Sequence, residues 1–175
     1  MRERMSLRRM AEMAESKGEY DVGQACLNGH AITGSAIRWP EFTAKFCEDC
    51  GESTITECPK CNKPIRGNYT AGYSVESWEP PRFCHECGAA YPWTERNSAA
   101  LAEAIDELDQ LPQGDRDKLK LSIPDVINDT PKTQTAANRF GKAIGSAGQW
   151  GGKLLTEVLT NVATEAAMKL TGLKP

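Results

Sequence analysis

Histidine occurs only twice in this 175-residue chain, and no apolar run approaches the length of a membrane span. Each shortage removes a class of function. Of the two histidines one reads as a metal ligand, and no Ser-His-Asp set, P-loop or GxGxxG stretch is present. The zinc-deaminase pattern, H-x-E with P-C-x-x-C, is missing as well. His30 is followed by Ala31 and Ile32, and Pro59 comes after Cys58 instead of before it. Residues 1–13 contain no apolar segment of the kind a secretory leader needs. Seven cysteines is an odd number, so a complete disulfide framework is not expected. Hydrophobic residues make up 39% of the chain and its mean hydropathy is -0.52, which limits the material for a large core.

The cysteines that are present are not scattered. With one histidine they fall into four pairs: Cys26 with His30, Cys47 with Cys50, Cys58 with Cys61, and Cys84 with Cys87. Eight donors make two tetrahedral sets, the coordination number of structural zinc. A Cys-x-x-Cys turn aims both sulfurs at one ion while its backbone N–H groups turn inward. The residue after the second cysteine needs a left-handed backbone, which glycine adopts freely and asparagine tolerates. Gly51, Asn62 and Gly88 occupy that place, and Asn28-Gly29 supplies the turn before His30. Iron in a four-cysteine site has the same spacing. His85, inside the last turn, reads as a solvent-facing residue and not a ligand.

Sequential pairing would join Cys26, His30, Cys47 and Cys50 around one ion and Cys58, Cys61, Cys84 and Cys87 around another. The loops 31–46 and 62–83 are then long enough for a hairpin or small sheet. Cross-braced pairing, or closure of Cys47, Cys50, Cys58 and Cys61 on one ion, are the alternatives. The stretches C-L-N-G-H and K-F-C-E-D-C-G, then C-P-K-C-N and R-F-C-H-E-C-G, resemble the halves of double zinc ribbons. More closely they resemble a bacterial family known as a domain of unknown function, over about residues 20–96 with a helical tail. The resemblance implies a metal-dependent fold and leaves activity open, because ribbons serve in nucleic-acid machinery, in protein docking and as plain structural modules.

The expected fold is small α+β: two zinc ribbons of short β-hairpins, then an α-helical C-terminal region. Residues 1–17 read as a charged helix or disordered segment, 18–96 as tandem ribbons and 97–175 as a helical module. Within that module, Thr94 or Ser98 would cap a helix carrying Leu101, Ile105 and Leu108, ended by the turn at 111–114. Asp115 would cap a short helix to about Ser122, with Pro124 interrupting the chain. Thr130-Pro131 reads as the start of a long helix broken or bent near Gly151-Gly152. Gly141 with Gly145, and Gly148 with Gly152, form small-x-x-x-small pairs that allow close helix approach. Leu155, Leu159, Val162, Ala166, Leu170 and Leu173 form an apolar stripe at helical spacing.

Charge bears on partners. Residues 26–97 carry seven basic and nine acidic side chains. Zinc centres of net −1 and −2 would bring that region to about −5. Phosphate backbones favour the opposite sign, so nucleic acid is the weaker alternative. It would rest on Lys60, Lys63, Arg66 and Arg82 with Trp78 among the aromatics Tyr69, Tyr73, Phe83, Tyr91 and Trp93. Packing of those rings over the second zinc is the preferred reading. The function expected is therefore a non-catalytic zinc-binding adaptor with two structural Zn2+ ions and no small-molecule substrate. Its partner would be another protein, or a second copy engaged through the C-terminal helices; a membrane surface ranks last. Free thiols in this number suit a reducing compartment, so a cytoplasmic location is expected.

Overall fold

The computed structural model describes residues 18–70 and 77–171, so the segment 1–17, Tyr73 and Leu173 lie outside the described residues. The chain divides into two compact units, Met1–Pro92 and Trp93–Pro175. The class is α+β, with short-strand hairpins in the first half and five helices in the second.

In the first unit β1 (Tyr20–Val22) leads through Gly23 into β2 (Gln24–Cys26). β3 (Ala31–Thr33) and β4 (Thr54–Ile55) flank β2 on either side, both antiparallel. β5 (Arg66–Tyr69) does not join this sheet and pairs with β1 instead. Strand pairing therefore crosses from one ribbon to the other, an arrangement not contained in the expectation of tandem modules. Strands of two to four residues bury little, and the core of this unit is correspondingly slight: Ala25, Ile65, Tyr91 and the inner cysteines.

Two buried polar side chains hold the segment between β3 and the second knuckle. The Asp21 carboxylate accepts the N–H groups of Val22, Ile37 and Arg38, at 2.6, 2.9 and 3.1 Å. Gln24 grips Ala44 at both ends of its amide, donating to the carbonyl and accepting from the N–H, each at 3.0 Å. Ile37, Trp39, Phe42 and Phe46 are left exposed on the segment so held.

The second unit consists of α1 (Pro92–Asp106), α2 (Gln113–Ile127), α3 (Thr133–Ser146), α4 (Gly148–Val162) and α5 (Glu165–Thr171). α3 is central and packs on α2, α4 and α5. Its buried residues are mostly small, Ala136, Ala137 and Ala143 around Phe140, and this lets neighbouring helices come close. Leu101, Ile105, Leu119, Ile123, Val126, Leu155 and Leu159 complete the core.

Several boundaries differ from those expected. α1 begins at Pro92, ahead of Thr94 and Ser98, because proline at the first helical position is already set in φ. α2 continues through Pro124 to Ile127, since Ile123, Val126 and Ile127 are buried and that packing outweighs the one lost backbone hydrogen bond. α3 starts at Thr133, later than Thr130-Pro131; Thr130 instead uses its hydroxyl to accept the Lys132 N–H. The break between α3 and α4 falls at Gly148, at φ 71°, and not at Gly151-Gly152. Gly151 and Gly152 are buried within α4. The apolar stripe holds for Leu155, Leu159 and Val162, but Ala163 turns extended, and the phase then shifts to Ala167 and Met168. Ala166 and Leu170 are exposed as a result.

Candidate metal centres

Three knuckles share one backbone design. The N–H groups of Gly51, Asn62 and Gly88 close on the carbonyls of Cys47, Cys58 and Cys84 at 2.8–2.9 Å. All three closing residues have positive φ: 71°, 56° and 70°. A bridge then joins the residue before each knuckle to one just past it, Phe46 to Ser53, Glu57 to Pro64 and Phe83 to Ala90. The first half-site is built differently. β2 ends at Cys26, Gly29 takes a φ of 91°, and the Cys26 N–H donates to the His30 carbonyl.

These turns bring the donors together in two groups, Cys26, His30, Cys47, Cys50 and Cys58, Cys61, Cys84, Cys87. Within each group the ligand atoms lie within 4.8 Å of one another, and every cysteine is free of disulfide. The grouping is the sequential one. Cys26 and Cys50 sulfurs are 3.8 Å apart, Cys58 and Cys87 3.8 Å, and Cys61 and Cys84 3.7 Å. A tetrahedron with metal–sulfur bonds of about 2.3 Å has an edge of about 3.8 Å. His30 turns Nδ1 to within 3.4 Å of the Cys47 sulfur, close to the mixed nitrogen–sulfur edge of about 3.5 Å. Both donor sets thus fit a four-coordinate ion, and the clusters match zinc-ribbon sites.

The thiols within a cluster are unequal. The Glu52 N–H and the Asn28 amide donate to the Cys50 sulfur and hold it down at about 6. Burial works to raise Cys84, but N–H groups of Cys87 and Glu86 and the neighbouring thiols outweigh it and bring it to about 6. For Cys61 the Lys63 N–H pulls downward; burial and three neighbouring thiols prevail and push it up to about 12. Burial likewise raises Cys47. The thiolate is thus favoured at Cys50 in one cluster and at Cys84 in the other.

Four neighbours of the sites carried no signal in the ligand spacing. Asn28, read only as a turn residue, places its amide 3.4 Å from the Cys50 sulfur. Tyr91 is fully buried, and burial first, then the negative charge of the second cluster's cysteines, raises its own ionisation. Asp21 and Gln24 act at a distance by fixing the segment before Cys47.

The residues of the nucleic-acid alternative have different surroundings. Trp78 lies over Gly23 and Gly34 and donates its N–H to the Arg66 carbonyl at 3.0 Å, so its ring is packing material. The Arg66 guanidinium sits 4.5 Å over the Tyr20 ring, which tilts against Tyr69. Lys60 and Lys63 are exposed in the third knuckle and Arg82 is half-buried before the fourth. His85 pairs with Glu86 at 3.2 Å and is outside both ligand groups.

A bacterial family described as "uncharacterized protein conserved in bacteria (DUF2321)" matches residues 19–171. The chain belongs to that family. The match takes in both donor groups and all five helices. No curated protein and no solved structure matches the chain. Among the described residues no helix is long and apolar enough to cross a membrane.

Proposed function

We propose that this protein is a non-catalytic, zinc-binding adaptor, in which two structural Zn2+ ions hold a double ribbon and the ribbon and helical units dock another protein. One observation carries the reading: all eight candidate donors are consumed in two closed four-donor sets. A catalytic zinc keeps one position for water or substrate, and here a fourth protein donor stands at each. The three-sulfur, one-nitrogen set of the first centre favours zinc over iron, which takes four thiolates in its simple sulfur sites. A cytoplasmic setting agrees with seven reduced thiols.

The test is metal analysis of the untagged protein, followed by mass spectrometry of whatever co-purifies with it. Two zinc ions per chain and a specific protein partner are expected. About one zinc per chain, with Cys26 and His30 open to chemical modification, would remove the first centre. Recovery of nucleic acid in a salt-dependent manner, with no protein partner, would replace the adaptor reading with the nucleic-acid one.

A further inference from the structure

The chain between the third and fourth knuckles is built onto the chain that leads into the first. β5 begins five residues after Cys61, and its partner β1 ends four residues before Cys26. The Gly23 N–H donates to the Ile65 carbonyl at 2.8 Å, and the Asn68 N–H to the Gly34 carbonyl at 2.6 Å. The Asn68 amide reaches the Ser35 hydroxyl at 3.2 Å. Gly67 is pressed so closely into this seam that an added Cβ would overlap the Gly34 carbonyl oxygen and stand 2.7 Å from the Val22 carbonyl carbon. Trp78 closes the seam by covering Gly23 and Gly34.

A second seam runs through β4, which lies between Cys50 of the first centre and Cys58 of the second. Ile55 and Thr54 pair with Ala25 and Cys26, and one residue later the Thr56 carbonyl accepts the Ile65 N–H at 2.8 Å. Each centre is thus clamped by backbone that leads directly to ligands of the other.

Resting on the reading of both clusters as metal centres, we infer that the two are loaded cooperatively, each ion ordering the seam that positions the other centre's ligands. The physical reason is the small core. Strands this short do not hold without the metal, whose binding free energy supplies much of the folding free energy in such domains. Without an ion on Cys58, Cys61, Cys84 and Cys87, β5 and Trp78 lose their fixed ends, and β1 loses its partner. β1 runs through Gly23 into β2, which carries Cys26. By linkage the effect has equal size in both directions. The chain then passes between a metal-free and a two-metal form, with little of the one-metal form between them.

The experiment titrates metal-free, full-length protein with Co2+ alone, whose thiolate absorption differs between a three-sulfur, one-nitrogen site and a four-sulfur site. In Cys84→Ser/Cys87→Ser the first centre should bind cobalt about 5- to 150-fold more weakly, and Cys26→Ser/Cys47→Ser should weaken the second centre alike. Trp78→Ala and Gly67→Ala keep all eight ligands and open the seam. In either background the same ligand substitutions should change the remaining centre's affinity by a smaller factor than in the wild type, the seam through β4 being left in place. Should Gly67→Ala not fold, Trp78→Ala gives the comparison. A first centre whose affinity is the same with and without the second would overturn the coupling while leaving two metal centres standing. A full drop persisting in Trp78→Ala would overturn the seam as its route. Wild-type protein developing no thiolate absorption at either centre would overturn the metal reading itself, and the coupling with it.

Discussion

A buried carboxylate surrounded by three backbone N–H groups needs no cation, and Asp21 is placed in that way. Its partners Ile37 and Arg38 lie sixteen and seventeen residues along the chain, so the contact fastens the segment that follows β3 to β1. Replacing Asp21 with alanine leaves buried donors unsatisfied, at about 1–3 kcal/mol for such a group. Asp21→Ala at saturating zinc should therefore lower the stability of the ribbon unit by about 2–4 kcal/mol in thermal or denaturant melts, still with two zinc ions bound at the start. Asp21→Asn keeps one acceptor oxygen and should lose less. Equal stability of wild type and Asp21→Ala would show that the carboxylate does not secure the loop. No local pattern announces Asp21, since its partners are backbone groups far along the chain. The eight ligands, in contrast, are legible from spacing alone, because a knuckle is a local turn whose chemistry is written in four or five consecutive residues.

The same difference between local and distant causes separates the elements that could be read from those that could not. Positive φ at Gly51, Asn62 and Gly88 follows from the knuckle sequence. The pairing of β1 with β5 does not, because strands of three and four residues carry no usable period. Helices were legible as stretches and not at their ends. Pro124 was read as a stop because local sterics disfavour it, yet burial on both sides carries α2 through it. The glycines of α3 and α4 look alike in sequence and differ in surroundings. Gly152 lies where a Cβ would come 2.7 Å from the Ile144 carbonyl oxygen, while Gly145 faces open space. Gly152→Ala should cost about 1–3 kcal/mol by forcing α3 and α4 apart. Gly145→Ala should stabilise by up to about 1 kcal/mol through helix propensity. Gly148→Ala should destabilise by about 1 kcal/mol, since its φ of 71° suits glycine. Denaturant melts of the three variants check the order, and a harmless Gly152→Ala would mean that the pair is not in close contact.

At the scale of the molecule, two units are stabilised by different means. The ribbon unit has few buried apolar side chains and eight candidate metal donors, the last of them Cys87. The helical unit has no donor group among its described residues and a continuous apolar core from Leu101 to Met168. Chelation should therefore unfold one and spare the other. Full-length protein treated with a strong chelator should lose the ribbon and keep the far-ultraviolet signature of the five helices. The fragment 18–92 should bind two zinc ions and melt cooperatively only with metal, because every ligand and every strand partner lies inside it. The cut belongs at Pro92, where α1 begins. The fragment 93–175 should be helical with or without metal. Helical signal lost in parallel with zinc would show that the helices depend on the ribbons, and the two units would then be one. A fragment 18–92 that holds fewer than two ions would place part of the second centre's support in the helices. Light scattering of the same three samples locates assembly: a full-length protein larger than a monomer, beside a monomeric 18–92, assigns self-association to the helical unit and leaves the ribbon face for the partner protein.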